Sequence, residues 1–228
     1  MSKALHAILR FIASVACVSG VLLLVDAGLT LTWQEPISAL TAARGQAVAN
    51  DQLEREIAAE RKRAASTAPR SDPGVLRDAA GRYRRRLQTG RALGRISLPT
   101  LRRQYVMVQG TNTEPLRKGP GHYPDTPLPG QGGTVGIAGH RTTYLAPFRT
   151  IDRLRRGQPI VVTMPYGRFT YRVRRTRIVR PSDVWVKRPV GYEQLILSAC
   201  HPLYSAAKRI IVFARLVGAE PLSRRTPV

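Results

Sequence analysis

"FTYRVRRTRIVRP", residues 169–181, sets the fold question. Phe169, Tyr171 and Val173 alternate with Thr170, Arg172 and Arg174. Successive side chains on a strand point to opposite faces, so a period of two predicts a strand with one face wet and one buried. Working outward, short apolar runs broken by Gly and Pro recur on both sides. "LGRISLP", "QYVMVQG", "GTVGIAGH", "QPIVVTMP", "EQLILSAC" and "AAKRIIVFARLVG" continue the series. At least seven short strands with brief helical breaks predict a mainly β domain from about residue 92 to 220. A closed or nearly closed barrel follows, because closure removes unpaired strand edges. The ten arginines between 149 and 180 fall mostly on outward positions and in "DRLRRG", which reads as a solvated basic face.

Upstream of this domain the texture changes. Residues 1–10 are predicted to be a short cytoplasmic N-terminus. "FIASVACVSGVLLLVDAGLTLTW", residues 11–33, carries one charge, Asp26, and is long enough to cross about 30 Å of hydrocarbon. Lys3 and Arg10 precede it, while Glu35 and no basic residue before Arg44 follow. That bias predicts a single span with the N-terminus in the cytoplasm and the remainder outside the cell. A cleaved signal peptide is the rival, but the apolar region is long for one and no clear A-x-A site follows it. Residues 34–91 mix a polar helix, "QAVANDQLEREIAAERKRAA" with Leu53 and Ile57 on one side, and a Pro/Gly/Arg stretch. They are predicted to form a partly helical, partly flexible juxtamembrane stalk. Residues 221–228 are predicted to form a C-terminal tail.

The formal charge is +23, from 37 Lys+Arg against 14 Asp+Glu. Such a balance attracts polyanions. An outward-facing domain does not meet chromosomal DNA, so nucleic acid is set aside in favour of anionic cell-wall polymers and lipid headgroups. Cys17 sits in the apolar stretch and Cys200 in the last third of the chain, so no disulfide framework is expected.

Cys200 ends an apolar run in "LILSACHPLYSAAKRIIVF", residues 195–213. From the residues alone it reads as a buried packing residue, a metal ligand or a nucleophile. A thiol attacks only as thiolate, which needs a nearby base or cation. Adjacent His201 points to the opposite face if both are on a strand. His140 ends a strand in "IAGHRTTY", suiting a side chain held at a barrel rim. His122 lies in the Gly/Pro loop "GPGHYPDT", where a side chain lining a cleft or the surface is expected. Arg209 would sit on a strand beside that of Cys200 and could donate to an oxyanion. The histidines and Cys200 show no C-x-x-C or H-x-x-x-H spacing that would favour zinc.

"GTVGIAGHRTTYLAPFRTIDRLRRGQPIVV" and "LILSACHPLYSAAKRIIVFARL" together strongly resemble the sortases, cysteine transpeptidases of Gram-positive bacterial surfaces. The resemblance runs from about residue 92 to 218. "KGPGHYPDTPLPGQGG", "CHPLYS" and "WQEP" resemble the class E branch of high-GC actinobacteria. It implies the eight-stranded sortase β-barrel. No cofactor and no metal ligand set are expected. Cys200 is then the nucleophile, His140 the general acid/base and Arg209 the oxyanion and substrate-positioning residue. The implied reaction cleaves an LAxTG-like C-terminal sorting signal between Thr and Gly through a thioester, then transfers the secreted protein to a peptidoglycan precursor or crossbridge amine. Tyr123 becomes the candidate reader of the Ala-for-Pro position, and Ala199 and His201, flanking Cys200, the other candidate substrate contacts. The family's T-L-x-T-C strand here reads Ile196-Leu197-Ser198-Ala199-Cys200, so a hydroxyl beside the nucleophile is missing. A pilin-polymerising sortase with a lysine acceptor, and a catalytically silent wall-binding module, are the competing readings. The S-x-G-C-x-R-type signature of L,D-transpeptidases is absent.

Overall fold

A computed structural model describes residues 3–32, 36–65 and 73–222 of the chain. Residues 33–35 of "WQEP", the Pro/Arg stretch 66–72 and the tail from 223 lie outside the described residues.

Eight strands close into one barrel: β1 (Ala92–Leu98), β2 (Arg103–Gln109), β3 (Gly121–His122), β4 (Thr134–Ala138), β5 (Pro159–Met164), β6 (Gly167–Val179), β7 (Gln194–His201) and β8 (Lys208–Pro221). The order around the barrel is β1-β2-β3-β4-β7-β8-β6-β5, and β5 pairs with β1 to close it. Pairing is antiparallel except for β2 with β3 and β4 with β7.

The quoted stretch shows why the inside fills. Phe169, Tyr171 and Val173 of β6 are buried in the main core, while Arg172 and Arg174 are exposed. Val173 pairs with Ala214 but Arg175 pairs with Phe213, so Arg174 is an extra residue in the ladder. Such a bulge reverses the alternation. Odd-numbered residues therefore face the core before it, and Arg175 and Arg177 face out after it. None of the ten arginines between 149 and 180 is buried.

Among the described residues, three helical segments precede the barrel. Helix α1 (Lys3–Thr32) contains an apolar stretch, Leu5–Gly28, of 24 residues with none of it buried. Its length and composition make it a candidate membrane span. It starts earlier than the stretch at 11–33 because Leu5, Ile8 and Leu9 extend the apolar surface past Arg10, whose long side chain can reach the interface.

Helices α2 (Pro36–Ala65) and α3 (Pro73–Arg84) occupy most of the segment whose composition suggested a stalk, and both dock on the barrel. Ala49, Leu53 and Ile57, spaced four apart on one helical face, pack with Ala92, Val106, Val108 and Leu222. Burying Leu53 and Ile57 stabilises this contact by about 2 kcal/mol each. Gln46 treats β2 as a strand partner would. Its side chain accepts from Val106 N–H at 2.8 Å and donates to the Val106 carbonyl at 2.9 Å. It also donates to the Lys118 carbonyl at 2.6 Å, tying down the short helix α4 (Thr113–Lys118). From α3, Leu76, Ala80 and Tyr83 enter the main core. Burial pushes the Tyr83 phenol pKa up, and its hydroxyl donates to the Leu93 carbonyl at 3.1 Å.

Candidate active site

Strand alternation decides which side chains share a face. In β7, Leu195, Leu197 and Ala199 lie in the barrel core, so Ile196, Ser198 and Cys200 face outward. In β8, Ile210, Val212 and Ala214 are core residues, leaving Arg209, Ile211 and Phe213 outside. Cys200 is the ladder partner of Arg209, and partners across an antiparallel pair stand side by side on one face.

Strand β4 runs parallel to β7 with Ala138 opposite Ser198, and the Gly139 N–H donates to the Ser198 carbonyl at 3.0 Å. His140 follows directly after this last hydrogen bond, as Cys200 lies two residues beyond Ser198 on β7. The neighbouring strands β4, β7 and β8 thus carry, at or just past their ends, His140, Cys200 and Arg209. All three are half-buried. Arg209 Nη1 donates to the carbonyls of Ala206 and Lys208 at 2.8 and 3.0 Å, which fixes it against the turn that enters β8.

His140 is held from beneath. A Cβ at Gly139 would come within 2.6 Å of the Phe148 ring, and the Phe148 N–H donates to the His140 carbonyl at 3.1 Å. The Tyr144 ring lies 5.1 Å from the imidazole, with the Arg117 guanidinium 5.7 Å over Tyr144. Tyr144, Leu145 and Ala146 all have positive φ (50°, 65° and 39°), a strained run for residues with side chains. The Tyr144 N–H donates to Ser38 Oγ of α2 at 3.4 Å, so the segment following α1 reaches the site. Among the described residues His140 Nε2 is buried without a hydrogen-bond partner. Burial and, next, the Arg117 charge lower the His140 pKa, which favours the neutral ring.

The other residues singled out by sequence separate. Tyr123 lies across the outward face of β4: its N–H donates to the Gly136 carbonyl at 3.0 Å, and a Cβ at Gly136 would meet its ring at 2.7 Å. Lys187, in the turn Val184–Lys187, sits 5.4 Å over the Tyr123 ring and pairs with Asp125. Ala199 does not join the site. It is 3 % exposed and faces the core, because its position in β7 has inward parity. The expected substrate contact through its side chain is corrected accordingly. His201 faces away from Cys200, and its Nδ1 lies 2.9 Å from Arg141 Nη1.

His122 corrects another expectation. Instead of lining a cleft or the surface it is 1 % exposed, with Nδ1 2.9 Å from Gln109 Oε1 and Nε2 3.0 Å from the Pro127 carbonyl. Burial is the main cause of its pKa of about 4, with Arg84 also lowering it. Among the described residues no three His, Cys, Asp or Glu side chains are grouped so as to hold a metal ion. Arg141, which the sequence pattern did not single out, is buried beside the site; a charged residue directly after His140 was the available signal.

Comparison with known proteins follows the same residues. The Sortase domain family matches residues 96–217, more than half the chain. The chain is similar to Sortase D of Bacillus subtilis (strain 168), 34% identical over 134 residues, covering 57% of this chain and 66% of that protein. It is also similar to Sortase SrtE1 of Streptomyces coelicolor, 33% identical over 121 residues, covering 47% of this chain and 34% of the relative. Among solved structures, sortase E from Streptomyces avermitilis superposes with a TM-score of 0.55 at 35% identity, covering 61% of this chain and 97% of that one.

Proposed function

The chain belongs to the sortase family, and from that premise we propose that it is a membrane-anchored, class E-like cysteine transpeptidase. In this reading it takes secreted proteins bearing an LAxTG-like signal, cleaves between Thr and Gly, and joins the new carboxyl end to a peptidoglycan amine. The observation that supports it is the pairing of Cys200 with Arg209 on the outward face of β7 and β8, with His140 following β4 just past its last partner on β7 and its Nε2 buried without a partner among the described residues.

Cys200 Sγ attacks the Thr carbonyl carbon as neutral His140 takes the thiol proton. The carbonyl electrons move to oxygen, where the Arg209 guanidinium stabilises the developing charge. On collapse the C–N bond breaks, and His140 returns the proton to the departing glycine amine, leaving a thioester. The acceptor amine then attacks the thioester, His140 accepts its proton, and Cys200 leaves with that proton restored. Tyr123, whose ring lies over Gly136 on the outward face of β4, is assigned to reading the Ala of the signal.

Lys3 and Arg10 on the N-terminal side of α1 support a cytoplasmic N-terminus and an extracellular barrel. Ser38 touches the site only a few residues after α1 ends at Thr32. At about 3.5 Å per residue, the reactive end of the barrel lies within roughly 20 Å of the end of that helix. A membrane-borne amine acceptor is within such reach.

The test uses the full chain in detergent with quenched LAxTG and LPxTG peptides and an amine acceptor. A covalent acyl adduct on Cys200, seen by intact-mass spectrometry, is expected with LAxTG. Absence of an adduct with either peptide removes the enzyme reading, and preference for LPxTG removes the class E assignment alone.

A further inference from the structure

Arg141 is 4 % exposed, and its guanidinium is divided between two pieces of chain. On one side Nη2 pairs with the Asp152 carboxylate at 3.1 Å and Nε donates to the Arg149 carbonyl at 3.3 Å. Both partners belong to the loop and turn that follow His140. On the other side Nη1 lies 2.9 Å from His201 Nδ1 and 3.5 Å from the carbonyl of Cys200 itself. Those two residues end β7.

The clamp sits where regular structure stops. The β4–β7 ladder ends with the Gly139–Ser198 hydrogen bond, and beyond it the chain enters the irregular loop containing the three positive-φ residues. No strand pairing then fixes His140 beside Cys200. A guanidinium carries donors in several fixed directions, so one side chain can serve the loop and the strand end together. Arginine only donates, which makes His201 Nδ1 an acceptor and puts the proton of a neutral His201 on Nε2. His201, expected to touch substrate, is instead part of this clamp.

Building on the transpeptidase reading above, we propose that Arg141 is a positioning residue that sets the approach of the His140 imidazole to the Cys200 thiol by tying their two backbone segments together. Removing it would leave all three reacting side chains in place but loosen their spacing, and small misplacements of reacting groups are costly in rate.

The experiment compares the full chain with Arg141→Gln, Arg141→Lys and Asp152→Asn in detergent. The readouts are kcat and KM per acylatable site, the pH dependence of Cys200 alkylation by iodoacetamide in a Cys17→Ala background, and the thermal midpoint. Arg141→Gln is expected to lower kcat about 30-fold or more with KM within about two-fold. Lys and the Asp152 variant are expected to fall between, and the alkylation profile of Arg141→Gln to shift. A kcat per acylatable site within two-fold of the parent, or an unchanged alkylation profile, overturns the proposal whatever the thermal midpoint does. Should Arg141→Gln fail to fold, Asp152→Asn decides: parent-like kcat and alkylation overturn the clamp. Should the parent itself form no thioester, the transpeptidase reading fails by that result, while the alkylation profiles still decide whether Arg141 sets the thiol–imidazole geometry.

Discussion

Gly121–His122 and Gly139–His140 look alike in sequence and lie on the paired strands β3 and β4 or just beyond them. Both glycines are sterically required: a Cβ at Gly121 would meet the Gly110 carbonyl oxygen at 2.1 Å, and one at Gly139 the Phe148 ring at 2.6 Å. Burial lowers both imidazole pKa values. The difference is in the partners. His122 has a neighbour for each ring nitrogen and knits β2, β3 and the following loop together. His140 keeps a buried Nε2 with none among the described residues. A fold carries such an unsatisfied atom at a cost, and that cost is most readily explained where the atom has a reacting partner to meet. Desolvation is therefore common to both rings, and the missing partner, among the described residues, is what sets His140 apart.

The sharpest way to break this comparison is to remove each ring in turn. His140→Ala is expected to lower kcat/KM about 10³-fold, the range of a lost general acid/base, while shifting the unfolding midpoint little. Parent-like turnover by that variant would end the distinction.

The second test concerns stability. His122 binds a proton at about pH 4 in the fold, against 6.5 for an ordinary imidazole. Between those values the unfolded chain binds more protons, so its contribution is complete above pH 6.5 and is lost as pH falls towards 4. Urea unfolding at pH 7 and pH 4.5 should show the parent losing about 2–3 kcal/mol more than His122→Gln. Equal losses would mean that the ring is not held neutral by burial.

A smaller effect sharpens the comparison further. Gly139→Ala must displace Phe148 or the backbone that carries His140, and is expected to lower kcat roughly ten-fold at modest cost to stability. A stability loss with unchanged kcat per acylatable site would show that His140 does not depend on this support.

Much of the fold was legible along the chain. The alternation at 169–173 was visible because core and solvent select opposite residue types on a half-buried strand. The bulge at Arg174 was not visible, since an extra residue shows only against the register of β8. Nor was the docking of α2 and α3. A helix with few apolar positions reads as a solvated stalk until Val106, Val108 and Leu222 are seen opposite Leu53 and Ile57. At the candidate site, the order His140, Cys200, Arg209 was legible through resemblance, and the common outward face of Cys200 and Arg209 follows from strand parity once the pairing of β7 with β8 is known. Ala199 was expected at the site because it adjoins Cys200 in sequence, whereas a strand sends neighbours to opposite sides. His122 was misplaced because a Gly/Pro-rich loop suggests exposure, and only the folded loop brings Gln109 and Pro127 to its ring.

The sequence by itself determined the β architecture, the apolar N-terminal helix, the basic exterior and the family, because each is written in local periodicity, composition or contiguous motifs. Tertiary structure alone decided which imidazole nitrogen lacks a partner among the described residues, which residue beside Cys200 faces inward, and that the buried Arg141 links the loop after His140 to the end of β7. Those are properties of contacts between residues tens of positions apart, and no local pattern encodes whether a polar atom will find a partner once water has been excluded.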